Sequence, residues 1–294
     1  MLNFLKAKKP ELTVTLDRPN GIYYPGETVG VTVEVQPGKD LKVQGAHVTL
    51  SGIEEYKYRT RRHSTDSDGN TSDDYSYAWK HSEFFASEEN FLGETTLPAG
   101  TPQRYSFQMS LPAGALPSCA GEIVHVRWQV DVKLDRRLLG GLHTKADLSV
   151  RSLSPGLAAQ PGEYRPSDNP SEVELAFILP GLKAVAGHPL SGQLRILPRK
   201  NFAGKVRVEL VRRESVPYDR GNHNEKSFSL ELAGKNEFTA EQQQTIPFQL
   251  PIPLDAAPSI QTPHGSISWA LKGILDRQLR SDFTIEQNVE VYSA

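Results

Sequence analysis

The chain has 294 residues, with 33 Lys and Arg against 35 Asp and Glu, a net charge of −2. That balance excludes the strongly basic footprint of a nucleic-acid-binding domain, and no apolar run approaches the roughly 18 residues that span a bilayer. A single cysteine, Cys119, excludes an internal disulfide framework and fits a reducing compartment, so the expectation is a cytoplasmic protein of about two domains.

Residues 1–10 are too short and too charged for a signal peptide. Their Phe4, Leu5, Lys6, Lys8 and Lys9 offer membrane contact that is at most peripheral. The first strand follows, with Leu12, Val14 and Leu16 alternating with polar neighbours. Val29, Val31, Val33 and Val35 repeat the pattern. The longest run is Val124, Val126, Trp128, Val130, Val132 and Leu134. A period of two marks strands with one buried face. Turn chemistry separates them, as at Pro19-Asn20-Gly21, Pro25-Gly26, Pro37-Gly38 and Pro112-Ala113-Gly114. In the second half, strands are expected over 173–178, 190–196, 206–211, 228–232, 245–250, 267–275 and 284–291.

The two halves repeat one another. A shift of 141 positions aligns 107–150 with 248–291, pairing Trp128 with Trp269 and Leu134-Asp135-Arg136 with Leu275-Asp276-Arg277. Upstream the offset is near 160 and pairs Leu50 with Leu210, so the first copy carries about 20 extra residues between 50 and 107. Between the copies, 151–170 is rich in proline and glycine and reads as a linker. The expected organisation is therefore an N-terminal sandwich over 1–150, a linker over 151–170 and a C-terminal sandwich over 171–294. Both would be immunoglobulin-like antiparallel β-sandwiches in an all-β chain.

The extra residues form the first candidate site. Tyr56 and Tyr58 alternate going out, and Tyr75, Tyr77 and Trp79 alternate coming back, which predicts a hairpin with its aromatics on one face. Arg59, Arg61 and Arg62 line its ascending side, and its tip is polar and acidic. Two readings stand: a partner-binding loop on a rigid scaffold, or a hairpin whose aromatics only cover the core. Asp66 and Asp68 do not open an EF-hand, since its glycine and glutamate positions hold Thr71 and Tyr77. The duplicated Asp135-Arg136 and Asp276-Arg277 are the second candidate, as local ion pairs at strand ends or as a lock between domains. Trp128 and Trp269 read as core. The eight histidines show no metal-ligand spacing, and no nucleophile motif is present, so no catalytic residue, metal or cofactor is expected.

Several segments resemble the arrestin superfamily. Tyr24-Pro25-Gly26-Glu27-Thr28-Val29-Gly30-Val31 is similar to its early Pro-Gly-Glu strand. Tyr105-Ser106-Phe107-Gln108-Met109-Ser110-Leu111-Pro112, with Leu116-Pro117-Ser118, resembles its Phe-x-Phe and Leu-Pro-Ser segment. His125-Val126-Arg127-Trp128-Gln129-Val130 resembles the long strand that follows. The resemblance covers N-domain, linker and C-domain, and implies a non-enzymatic adaptor or scaffold binding protein partners. It is closer to minimal retromer-subunit or prokaryotic sporulation-control members than to visual or β-arrestins. The strand 142–148 has one firm cation, Lys145, where visual and β-arrestins sense phosphate with a pair, and the sequence as given ends at Ala294 with no long regulatory tail. A role in trafficking or signalling is the expectation, with a carbohydrate- or ligand-binding β-sandwich module as the alternative.

Overall fold

The computed structural model describes residues 9–65, 71–136, 140–152, 161–165, 172–277 and 281–294. The hairpin tip at 66–70, most of the expected linker and residues 4–8 lie outside them. Every regular element among the described residues is a β-strand, and no helix is long and apolar enough to cross a membrane. The chain divides into two compact units. Unit 1 comprises Met1–Glu55, His81–Ser118 and His125–Arg151; unit 2 comprises Tyr56–Lys80, Cys119–Val124 and Ser152–Ala294.

The first half contains β1 (Glu11–Leu16), β2 (Ile22–Tyr23), β3 (Thr28–Gln36) and β4 (Leu41–Val43). The long β5 (Gly45–Thr65) and β6 (Thr71–Leu92) follow, then β7 (Thr95–Leu97) and β8 (Gln103–Ser110). It ends with β9 (Cys119–Ala120), β10 (Val124–Asp135) and β11 (Leu142–Val150). One sheet has the order β1-β3-β8 and the other β2-β11-β10-β5-β6, with β9 beside β10. The period-two residues supply the core: Val29, Val31, Val33 and Val35 of β3 are all buried, as are Val126, Trp128, Val130, Val132 and Leu134 of β10. The Trp128 indole donates to the Leu116 carbonyl at 2.8 Å, so the ring is buried without stranding its N–H. Its edge meets Phe84, and Gly52 leaves the room, since a Cβ there would stand 2.6 Å from the Phe84 ring.

The second half holds β12 (Gly162–Tyr164), β13 (Val173–Leu179), β14 (Lys183–Val185), β15 (Leu190–Pro198) and β16 (Phe202–Val216). It continues with β17 (Asn222–Phe238), β18 (Gln244–Leu250), β19 (Ile260–Gln261), β20 (Ser266–Asp276) and β21 (Phe283–Tyr292). Its sheets are β12-β13-β15-β18 and β14-β21-β20-β16-β17, with β19 beside β20. Leaving aside β12 here and the separate β4-β7 pair of the first half, the two halves share one strand order. Phe177 and Phe248 from one sheet and Trp269 and Leu271 from the other share one core. Both halves are thus immunoglobulin-like sandwiches of mainly antiparallel pairing, with β2 and β14 joining β11 and β21 in parallel. Within the expected linker, Gly162–Tyr164 is a strand paired with β13, and its Glu163 forms an ion pair with Arg195 of β15.

The sequence repeat extends to individual hydrogen bonds. The Trp269 indole donates to Ala257 O at 2.9 Å, 141 residues after the Trp128 bond. Ser118 Oγ accepts Val150 N at 3.0 Å, and Ser259 Oγ accepts Val291 N at 3.0 Å. Gly26 and Gly187 open the equivalent turns with φ of 82° and 80°, a conformation only glycine adopts at little cost. We expect Trp269→Ala to lower stability by about 3–5 kcal/mol in chemical denaturation, as a lost aromatic leaves a cavity and an unpaired carbonyl.

A polar pair braces the start of unit 1. Asp17 accepts the Tyr23 hydroxyl at 2.6 Å and Gly30 N at 3.0 Å, which together hold its carboxyl below the ordinary 3.8. Burial, and then the bond to Asp17, push the Tyr23 phenol up to about 12. Asp17 therefore contributes stability above pH 3.8 that is lost as pH falls through its lowered pKa. Tyr23 contributes stability that is full below pH 10 and is lost as pH rises through about 12. In a tyrosinate absorbance titration Tyr23→Phe should remove a late alkaline step, and the variant's acid unfolding should begin at higher pH.

Candidate interaction surface

Residues 56–80 carry the β5–β6 hairpin into unit 2. Side-chain contacts report its register: the Arg59 guanidinium lies 3.9 Å from the Tyr75 ring centroid and Lys57 Nζ lies 5.7 Å from that of Tyr77. Arg61 pairs with Asp73, and His63 Nδ1 is 2.7 Å from the same carboxylate. Alternation then gives the hairpin two faces. The outer one holds Lys57, Arg59, Arg61, Asp73, Tyr75, Tyr77 and Trp79; the inner one holds Tyr56, Tyr58, Ala78 and Lys80. The expectation of all five aromatics on one face is corrected here. The β6 aromatics stand on the side of the odd-numbered β5 residues, which leaves Tyr56 and Tyr58 on the other.

The inner face is tied down. Tyr56 is buried, stacks on His264 with centroids 4.6 Å apart, and meets Tyr218 edge-on at 5.6 Å. Tyr58 also meets the Tyr218 ring edge-on, at 5.1 Å. Lys80 Nζ donates to the Tyr218 hydroxyl at 3.2 Å, which holds the ammonium above its ordinary pKa. The outer face is open, with Tyr75, Tyr77 and Trp79 about half exposed at 51%, 56% and 47%.

Beneath the hairpin lies a buried carboxylate. Glu214 on β16 is 1% exposed and accepts the backbone N–H groups of Glu122 at 2.9 Å, Ile123 at 2.8 Å and Val124 at 3.2 Å. The Arg212 guanidinium, 7% exposed, stands 2.8 Å from it. Three amides and one cation replace the water the carboxylate gives up. Gly121 is required beside it, because a Cβ there would collide with the carboxylate. The turn so held supports the hairpin, since Lys57 N donates to Ile123 O at 2.8 Å while Lys57 O accepts Asn222 Nδ2 at 2.7 Å. Arg220 N adds a bond to Arg59 O at 3.2 Å.

Sequence reasoning singled out neither Glu214 and Arg212 nor Tyr218 and His264. A signal was present. Val206, Val208, Leu210, Arg212, Glu214 and Val216 share one phase of β16, and all are buried. Two charges in the phase of a core face call for partners inside. Glu54 repeats the pattern 160 residues earlier, following Ala46, Val48, Leu50 and Gly52 in β5, and is 0% exposed.

The duplicated Asp-Arg pairs lie at strand ends. Arg136 donates to the Gly140 carbonyl from Nε at 3.1 Å and Nη2 at 2.6 Å. Arg277 donates likewise to Ser281 O, and also pairs with Glu172 at 2.8 Å. In both copies the arginine thus donates twice to the carbonyl four residues on. Asp276 is 3.3 Å from Arg207, while Asp135 and Arg62 are exposed. Among the described residues no group of three or more His, Cys, Asp or Glu is placed to hold a metal ion.

Residues 12–151 match the family model of the arrestin (or S-antigen) N-terminal domain. This segment is an arrestin-like domain. No curated protein matches the chain. The arrestin-like assignment agrees with the all-β sandwich, and a general role in protein interaction follows from it. In the arrestin-like domain Lys145 lies 3.7 Å from Asp131 and 3.5 Å from Gln129 Oε1, so its charge is already engaged within the sheet. Glu214→Ala should cost about 3–5 kcal/mol in denaturant unfolding, because it leaves the buried Arg212 charge and the amides of the turn without their acceptor.

Proposed function

We propose that the chain is a non-enzymatic adaptor that binds a protein partner through the outer face of the β5–β6 hairpin. The observation that carries this reading is the row Tyr75, Tyr77, Trp79, half exposed on a strand whose opposite face is anchored by Tyr218 and His264. Exposed aromatics beside arginine, on a fixed scaffold, have the composition of binding hot spots. Anchoring lowers the ordering cost of binding, since the hairpin is already held. The sandwiches at 1–150 and 171–294, joined through 151–170, would carry this surface, and an adaptor of this kind would serve trafficking or signalling. The contacts favour a protein over a sugar. Lys57 and Arg59 lie over the Tyr77 and Tyr75 rings and occupy faces a stacking sugar would need.

The triple variant Tyr75→Ser, Tyr77→Ser, Trp79→Ser removes the row. It should keep the wild-type melting temperature, as exposed substitutions generally shift stability by no more than about 0.5 kcal/mol. In affinity capture followed by mass spectrometry it should lose the partners that the intact chain retains. Recovery of the same partners by both proteins would sink the assignment of this face. Specific retention on a glycan array would favour the carbohydrate module instead.

A further inference from the structure

We propose that the outer edge of β6 pairs with the same edge of a second copy of this chain, forming a two-fold antiparallel ladder centred on Tyr77. Beside Tyr75 and Tyr77, the β6 edge is the open one of the hairpin's two edges. The β5 side is closed by the bonds of Lys57 and Arg59 to Ile123, Asn222 and Arg220, whereas β6 is the last strand in its sheet order. From Thr71 to Lys80 every residue of β6 except Ala78 is exposed. Edge strands are commonly guarded against pairing by prolines, bulges or several lysines. The 22 residues of β6 contain no proline and one lysine, Lys80.

The strand is also complementary to itself. A two-fold axis normal to the sheet keeps each side chain on its own face, so directly opposed residues have the same parity and the centre falls on a residue. With Tyr77 at the centre, Tyr75 opposes Trp79 and Asp74 opposes Lys80, each pair occurring twice. One step further out Asp73 opposes His81. One face of the ladder would then carry six aromatic rings and the other two opposite-charge pairs, the combinations that stabilise neighbouring strands. Moving the centre to Ala78 sets Asp73 against Glu83 and Asp74 against Ser82; moving it to Ser76 sets Asp74 against Ala78 and Lys80 against Ser72. Neither register gives an opposite-charge pair across the axis. The Lys80 ammonium has three donors, so it can keep its bond to Tyr218 and still reach Asp74 of the second copy.

The test uses the purified full chain in sedimentation velocity and equilibrium runs, with no other protein present, so its outcome is separable from that of the partner-capture assay. The wild type should show a reversible monomer–dimer equilibrium at micromolar concentrations. Asp74→Lys should weaken self-association by about tenfold or more, because like charges then face each other twice. Lys80→Asp should do the same. The double variant Asp74→Lys, Lys80→Asp inverts both pairs and should restore dimerisation to within about threefold of wild type. Tyr77→Lys, which sets two like charges at the axis, serves if Lys80→Asp releases the hairpin from Tyr218, and near-UV circular dichroism reports that release. A wild type monomeric at millimolar concentration overturns the proposal. Dimers indifferent to Asp74→Lys and Tyr77→Lys, or a folded double variant that stays monomeric, overturn it equally.

Discussion

The arrangement of unit 2 depends on one buried carboxylate. Glu214 lies where water cannot reach it, and it is tolerable there because backbone amides of the 122–124 turn and the Arg212 guanidinium solvate it. The dependence runs outward from that point. Lys57 N–H donates to the Ile123 carbonyl of the turn, the Asn222 side-chain amide donates to the Lys57 carbonyl, and the hairpin leaves from a stem fixed at both groups. Tyr56, Tyr58, Tyr218 and His264 then pack the next layer. A surface ion pair such as Arg61–Asp73 has no comparable leverage, because solvent and salt screen it.

The two faces of the hairpin answer to different physics. Inward, the buried Tyr56 ring packs on His264 and Tyr218, while the exposed Tyr218 hydroxyl stays at the surface and accepts from Lys80. Outward, Tyr75 and Tyr77 keep water on one side and a cation on the other, an arrangement that loses little in solvent. The second copy of the unit shows what is shared and what is added. Its β16 and β17 have 15 and 17 residues, against 21 and 22 in β5 and β6, and the buried glutamate is common to both.

The halves also repeat what a sandwich needs locally. An indole buried mid-strand must place its N–H, and both tryptophans use a carbonyl twelve residues upstream. A strand end must satisfy its last donor, and a serine 32 residues away does so in each copy. Ser152 and Ser293 stand 141 residues apart and exchange bonds reciprocally, each hydroxyl accepting the other's N–H at 2.8 and 2.7 Å. Equivalent sequence positions therefore meet within unit 2.

The fold class was legible in the chain because burial on one face of a strand imposes a period of two that survives in the residue pattern. Val29 to Val35, Val124 to Leu134 and every strand expected in the second half fall inside observed strands. The expected spans stop short where charge enters, as at Arg212–Val216, since periodicity of apolar residues cannot see a strand whose inward positions are ionic. The aromatic residues of the hairpin were also legible, but their faces were not. Which β5 residues share a face with the β6 aromatics depends on register, and a shift of one residue reverses every side chain. The meeting of Glu214 with a turn some 90 residues away is a property of tertiary packing alone. Composition and period determined that this protein is a duplicated β-sandwich; only the folded chain decided which charges are buried and which rings face the solvent. Burial depends on what lies across the sheet, and no local pattern carries that.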